Sequence, residues 1–270
     1  IESCLCFKEL KAGGIKMIVN LYDLDGNANS QIQLPKAFDF PFRPDLIKKA
    51  VKIMQSNSRQ PYGVSPLAGL RRVGHNWGPN HGRARVPRRP NGDRGVILNN
   101  MVGGRTAHAP TTKRIWFRKM NKKEKLLSKL SALSQTANKD MVKKRGHRFK
   151  EDITLPIVVD DSIENIEKVS QAITVLRNLG VEEDILRAKN GQKIRAGKGK
   201  TRGRKYYTPK SILIVLKNKD KALKSFSNIP GVDVITPSEI NTEFLAPGAM
   251  PGRLTVFSKS AIDEIGRWII

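Results

Sequence analysis

The stretch Ser211-Ile-Leu-Ile-Val-Leu216 decides the fold of this chain, because five consecutive apolar residues follow Ser211. An apolar run without polar alternation is typical of a parallel strand that is covered on both faces. Shorter apolar runs at 17–22, 155–159, 232–235 and 254–257 predict further strands, and residues with helical spacing lie between them. This alternation predicts one α/β domain with a mainly parallel sheet and flanking helices.

The flanks of the strands predict a hairpin and several helices. Residues 31–34 can pair with the strand at 17–22, and Pro44 begins a helix. A second helix is predicted from Asn121, with Glu124 completing a capping box. Its expected apolar stripe is Leu126, Leu130, Leu133, Ala137 and Met141.

A further capped helix is predicted after the strand at 155–159. Asp161 and Glu164 provide its start signal, and Gly180 provides its end. The residues expected to face inward are Ile163, Ile166, Val169, Ile173 and Leu176.

Residues 57–120 cannot build a core of their own. They contain thirteen Lys or Arg, one acid (Asp93), nine Gly and six Pro. Such long loops are uncommon in compact domains and are usually functional or disordered. Arg outnumbers Lys eleven to two, and a guanidinium grips phosphate with two bonds and stacks on bases. We therefore predict an extended nucleic-acid-binding arm inserted between two helices. Its candidate binding residues are Arg71, Arg72, His75, Trp77, Arg83, Arg85, Arg88, Arg89, Arg94, Arg105, His108, Lys113, Arg114, Trp116, Arg118 and Lys119.

A second basic segment, residues 189–210, interrupts the α/β pattern. It contains nine Lys or Arg and no acid. We predict a basic loop that makes a second nucleic-acid contact. Its candidate residues are Lys193, Arg195, Lys198, Lys200, Arg202, Arg204 and Lys205.

The overall charge indicates the class of partner. Fifty Lys and Arg against 24 acids in 270 residues give a formal charge of +26, which favours a polyanionic partner. No apolar run approaches the roughly 20 residues of a membrane span, so no membrane partner is expected. Cys4 and Cys6 are the only cysteines, which fits a reducing, cytoplasmic environment and gives no disulfide framework.

Two motifs raise the alternative of a nucleic-acid enzyme. Gly199-Lys200-Thr201 resembles the end of a P-loop, but Ile194 stands where the pattern requires Gly. Asp160 and Asp161 follow a strand, where magnesium-binding or catalytic acids can lie, although helix capping explains Asp161 more simply. The four histidines have no ligand spacing, so we predict no catalysis, no cofactor and no metal. An architectural DNA or chromatin protein is the other alternative, since it would use the same electrostatics.

Residues 1–16 precede a methionine that directly starts the first strand. Gly13-Gly14 lies just upstream of Met17, and its codons can form a ribosome-binding purine run. We expect Met17 to be the natural start and residues 1–16 to be a translated leader, or otherwise a disordered tail. The intact mass of the native protein distinguishes these possibilities.

Several segments of this chain resemble one known family. They are Trp77-Gly-Pro-Asn-His81-Gly-Arg83-Ala-Arg85-Val-Pro-Arg88, Val102-Gly-Gly-Arg105-Thr-Ala-His108-Ala-Pro110, Trp116-Phe-Arg118-Lys119-Met-Asn121 and Asn241-Thr-Glu-Phe-Leu-Ala-Pro-Gly248. They are similar to the universal large-subunit ribosomal protein L-four family, in its archaeal and eukaryotic form. The length, without a long C-terminal extension, is more similar to the archaeal form.

The resemblance implies a structural constituent of the large ribosomal subunit, in the cytoplasm, with one copy per ribosome and no homo-oligomer. Its partners would be large-subunit ribosomal RNA (rRNA) and neighbouring ribosomal proteins. The family's arm helps to line the peptide exit tunnel, so the arm tip near residues 75–89 would meet the nascent peptide. Residues 90–95 depart from the family's glycine-rich pattern.

Overall fold

The computed structural model describes residues 17–96, 98–100 and 104–268. The expected leader at residues 1–16, and Val102 and Gly103 of the arm motif, lie outside the described residues. The chain forms two compact units: Gln55–Arg118 is one, and the residues up to Met54 together with those from Lys119 onward form the other. The division into an α/β domain at 17–270, interrupted by an arm at 57–120 and a basic loop at 189–210, stays a prediction.

A six-stranded sheet organises the larger unit. The described strands are β1 Ile18–Tyr22, β2 Ala28–Gln33, β3 Ile157–Val159, β4 Lys193–Ile194, β5 Tyr206–Tyr207, β6 Leu213–Val215, β7 Asp233–Ile235 and β8 Thr255–Ser258. The strand order is β2-β1-β3-β8-β6-β7. Only the β1–β2 hairpin of this sheet is antiparallel. The predicted α/β fold with a mainly parallel sheet is confirmed.

Helices cover both faces of this sheet. The described α-helices are α1 Pro44–Asn57, α2 Lys122–Ser134, α3 Lys139–Arg145, α4 Val169–Asn178, α5 Glu182–Asn190, α6 Ala222–Phe226, α7 Thr242–Leu245 and α8 Lys259–Gly266. One core lies between the sheet and α4 and α6. The other lies between the sheet and α1, α2 and α8.

The central apolar run behaves as its composition predicts. β6 lies between β7 and β8 in the sheet, and Leu213, Ile214 and Val215 are completely buried. Ile214 belongs to one core, whereas Leu213 and Val215 belong to the other. Successive side chains of a strand point to opposite faces, so a strand that is covered on both sides needs no polar residue.

The predicted helix after Asn121 ends before the last two residues of its expected apolar stripe, and the predicted capping box is wrong. Asn121 makes no side-chain capping bond, and α2 ends at Ser134. The side chain of Asn138 accepts hydrogen bonds from the backbone N–H groups of Asp140 and Met141, which starts α3. Met141 therefore belongs to a separate helix, because an Asn cap begins a new hydrogen-bonding pattern.

The helix predicted from Asp161 is also divided. A short 3₁₀ turn spans Asp161–Asn165, and α4 begins at Val169. The carboxylate of Asp161 accepts hydrogen bonds from the N–H and hydroxyl of Ser260, so it binds the first turn of α8, whose N-cap is Ser258, instead of capping its own helix. Ile173, expected to face inward, is 39% exposed.

A completely buried carboxylate ties several elements of the larger unit together. Asp184 accepts hydrogen bonds from His147 Nδ1 at 3.0 Å, Arg187 Nε at 2.9 Å and the Ser211 hydroxyl at 2.6 Å. Burial alone would raise the pKa of the Asp184 carboxyl, but these hydrogen bonds outweigh it and hold that pKa well below its usual value. Burial lowers the pKa of His147, so its imidazole is neutral and donates to the carboxylate.

We expect Asp184→Ala to lower the free energy of unfolding by roughly 3–5 kcal/mol, because it leaves buried donors without their acceptor. Urea denaturation of the full chain measures this change. Asp263→Ala, which removes an exposed carboxylate from α8, is the matched control and should change stability by less than about 0.5 kcal/mol. Equal losses in both variants would contradict the assigned role of Asp184.

We also expect the stability of the chain to fall as the pH decreases from 7. The folded-state pKa values of His147 and Asp184 both lie below their usual values, so protonation favours the unfolded chain. The His147 contribution should be lost first, below about pH 6.5, and the Asp184 contribution below about pH 4. Denaturation midpoints between pH 7 and 5 should depend less on pH in His147→Gln; unchanged dependence would contradict this assignment.

Candidate nucleic-acid interface

The two ends of the smaller unit, Gln55–Arg118, meet at one hydrogen-bonded junction. The Ser56 hydroxyl donates to the Trp116 carbonyl at 2.7 Å. The Asn57 side chain donates to the Arg118 carbonyl at 3.1 Å and accepts from the Arg118 N–H at 2.8 Å. These bonds therefore hold the two ends of the arm side by side.

An aromatic platform lies next to this junction. The Arg114 guanidinium lies 4.2 Å from the centre of the Trp116 ring, and that of Arg59 lies 5.0 Å from it. The Tyr62 and Trp116 rings are nearly parallel, with centres 6.4 Å apart. Because Tyr62 is 65% exposed, the platform presents an aromatic face and two cations, a combination that suits a stacked base and its phosphate.

The arm tip is folded back on itself. His75 and Arg88 exchange two backbone hydrogen bonds, of 2.9 and 3.2 Å, and Arg88 also bridges to Gly95. Val96 is only 3% exposed. A β-carbon on Gly74 would lie 2.0 Å from a Val96 methyl group, so this close approach requires glycine.

Two arginine side chains at the tip make cation–π contacts with the Trp77 ring. The guanidinium groups of Arg83 and Arg88 lie 5.5 and 5.7 Å from its ring centre. Arg88 also donates to the carbonyls of Asp93 and Ala84, and Arg83 forms an ion pair with the Asp93 carboxylate. The hydrogen bond and the charge of Arg83, together with the nearby charge of Arg88, lower the pKa of the Asp93 carboxyl. Arg83 and Arg88 thus hold the tip together, in addition to any contact with a ligand.

Most of the sequence-predicted binding residues are exposed; only Trp77, Arg88, Arg105 and Trp116 are partly buried. Among the arm cations that the structure describes, only Arg83 forms an ion pair with an acid. Six of the predicted residues line one cavity of the arm: Arg71, Arg72, Arg94, Arg105, His108 and Lys113.

The second basic segment forms a hairpin with a structured tip. β4 and β5 pair antiparallel, and the 3₁₀ helix Gly197–Arg202 lies between them. Arg195 and Lys193 lie over the Tyr207 ring, at 5.4 and 5.8 Å, and Lys205 lies 5.4 Å from the Tyr206 ring. All the predicted cations of this hairpin are exposed.

Two of the features that suggested an enzyme, Gly199-Lys200-Thr201 and Asp161, have structural roles. Gly199, Lys200 and Thr201 lie in the 3₁₀ helix, where the Thr201 hydroxyl donates to the Lys198 carbonyl at 2.8 Å. Asp161 binds the first turn of α8, as described above. The described residues include no His, Cys, Asp and Glu group that could hold a metal ion, and no described helix has both the length and the hydropathy to cross a membrane.

Sequence reasoning missed four residues of these clusters: Arg59, Tyr62, Tyr206 and Tyr207. Arg59 belongs to the basic composition of the arm and could have been included on that signal. Tyr62 lies 54 positions before Trp116 in the chain, and no local pattern predicts that their rings meet.

We expect Gly74→Ala to open the arm tip, because the added methyl group would overlap Val96. Overpacking of this kind typically costs roughly 1–3 kcal/mol. Hydrogen exchange of the His75 and Arg88 amides measures the opening. Gly92→Ala is the matched control, since nothing lies within 4 Å of its added β-carbon; equal acceleration in both variants would contradict this account.

Comparisons with known proteins agree with the earlier resemblance. The model of the ribosomal protein L4/L1 family matches residues 32–268. The large ribosomal subunit protein uL4 of Methanococcoides burtonii is 49% identical over 246 residues, which cover 91% of this chain and 96% of that protein. The uL4 proteins of Thermoplasma acidophilum and Archaeoglobus fulgidus are 47% and 44% identical, covering 92% and 94% of this chain and 96% and 100% of their own lengths. The chain belongs to the ribosomal protein L4/L1 family and is of the archaeal type.

Proposed function

We propose that the arm and the β4–β5 hairpin are the surfaces through which this chain binds large-subunit rRNA. Family membership makes the chain a structural constituent of the large ribosomal subunit in the cytoplasm, and not an enzyme. Its partners are therefore rRNA and other ribosomal proteins.

The observation that carries this proposal is the pairing of exposed cations with aromatic rings in both segments. Arg114 and Arg59 flank Trp116 in the arm, and Arg195 and Lys205 flank the two tyrosines of the hairpin. Cations attract the phosphate backbone, and exposed rings stack on unpaired bases at roughly 1–3 kcal/mol per base. Unpaired bases are abundant in the loops and bulges of folded RNA.

The finer role of the arm follows from the resemblance. We propose that the tip, near residues 75–89, lies at the wall of the peptide exit tunnel and contacts the nascent peptide. One copy would serve each ribosome, without a homo-oligomer. Support for this assignment comes from the order of the tip, whose Trp77 cluster and His75–Arg88 bridge give it a defined shape.

The architectural DNA-binding alternative has no support from the comparisons, since the relatives named above are all large-subunit ribosomal proteins.

Removal of the arm should reduce rRNA binding strongly while the sheet remains folded. Asn57 and Arg118 are hydrogen-bonded neighbours, so a short Gly-Ser linker can replace residues 58–117. We expect binding of transcribed archaeal large-subunit rRNA to weaken by at least 100-fold, with a smaller negative slope against salt, because counterion release falls with each lost phosphate contact. Filter binding at several salt concentrations measures both quantities.

Two comparisons make this result specific. Circular dichroism should show that the linker variant keeps its α/β content, and binding to duplex DNA should show what non-specific attraction remains. Unchanged affinity for rRNA would contradict the role of the arm, and a preference of the intact chain for duplex DNA would contradict rRNA recognition itself.

A further inference from the structure

The arm contains a cavity of about 1170 Å³. Its described walls are formed by residues 64–66, 68–69, 71–72, 94–96, 98 and 104–113. The Val64 N–H donates to the Pro110 carbonyl at 3.0 Å, and the Arg105 N–H donates to the Leu98 carbonyl at 3.0 Å. These bonds join the walls, so the cavity is a concave site within the arm and not a flat surface beside it.

The charged side chains among the described lining residues of this cavity are all positive. Its cationic or titratable lining residues are Arg71, Arg72, Arg94, Arg105, His108 and Lys113, and none of the described lining residues is acidic. Asp93 is next to Arg94 in sequence, but its carboxylate pairs with Arg83. Like charges that surround one space repel each other, and an anion in that space removes the repulsion. The cavity is therefore suited to an anionic occupant.

The other lining residues indicate which part of a nucleic acid would enter. The described lining contains no Trp, Tyr or Phe, but it has hydroxyl groups on Ser65, Thr106 and Thr111. The lining residues Gly69, Gly95 and Ala107 have at most a methyl side chain, which lets the backbone of a nucleic acid approach the wall closely. Hydroxyls and cations can bind phosphate and ribose, whereas base stacking needs the aromatic rings that lie elsewhere in the arm.

We propose that this cavity encloses an unpaired RNA segment of one or two nucleotides and holds it through phosphate and ribose, independently of base identity. The cavity, at about 1170 Å³, is somewhat larger than the roughly 300–1,000 Å³ pockets that hold small ligands, and a double helix does not fit into such a space. The arm then surrounds a piece of RNA as well as lying against it. This inference rests on the proposed rRNA binding and assigns one site within it.

The test blocks the cavity without changing its charge. Ala107 is exposed and lines the cavity, so Ala107→Trp fills it. Ala28 is also exposed and lies on β2, outside the arm and the β4–β5 hairpin, so Ala28→Trp is the matched control. With transcribed archaeal large-subunit rRNA as the probe, we expect the affinity to fall about tenfold or more in Ala107→Trp and less than about twofold in Ala28→Trp, a difference of about 1 kcal/mol or more.

A charge-matched pair of double variants provides a second measurement if Ala107→Trp distorts the arm. Arg72→Gln with Arg94→Gln removes two lining cations, and Arg85→Gln with Arg89→Gln removes two exposed arm cations outside the cavity. The lining pair should weaken rRNA binding at least fivefold more than the other pair. Equal losses in both pairs, with equal binding by the two Trp variants, would overturn the enclosed site and leave rRNA binding intact. Failure of the unmodified chain to bind this rRNA would instead overturn the proposed function, and the cavity inference with it.

Discussion

The larger unit depends on one buried guanidinium. Arg253 is completely buried, and it donates to the Ser211 carbonyl at 2.8 Å, the Phe244 carbonyl at 3.0 Å and the Asp233 carboxylate at 2.6 Å. A buried charge is tolerated only where its donors are satisfied and a counter-charge is near. The chain meets this requirement by bringing the start of β6, the start of β7 and the end of α7 to one point. The arrangement of that side of the sheet follows from this requirement.

The sequence predicted the sheet well and its polar interior poorly. Apolar runs such as 211–216 report burial on both faces, because each residue carries that signal itself. Asp184 bonds His147 and Ser211, and Arg253 bonds Ser211 and Asp233, across 20 to 42 positions of sequence, and nothing in a local pattern identifies such a partner. Helix ends failed for a related reason: Asp161 has the chemistry of a cap, but tertiary packing places it at α8.

Composition predicted the two basic segments of the candidate site, but it did not predict how each cation is used. Arg83, Arg85 and Arg88 look equivalent in sequence. In the folded arm, Arg83 pairs with Asp93 and Arg88 bonds two carbonyls. Which ring or carbonyl a cation contacts depends on how the backbone turns back, and glycine and proline at the tip permit several kinds of turn. The positively charged cavity is likewise a property of the folded arm and not of any one segment.

The hydrogen bonds that join Ser56 and Asn57 to Trp116 and Arg118 affect how freely the arm can change in length. Because these bonds hold the two ends of the segment together, a change in its length need not change the distance between those ends. Lengthening or shortening such a loop costs the fold little. The length and sequence of this segment can therefore change while the α/β unit keeps its structure, so two parts of one chain can diverge at different rates.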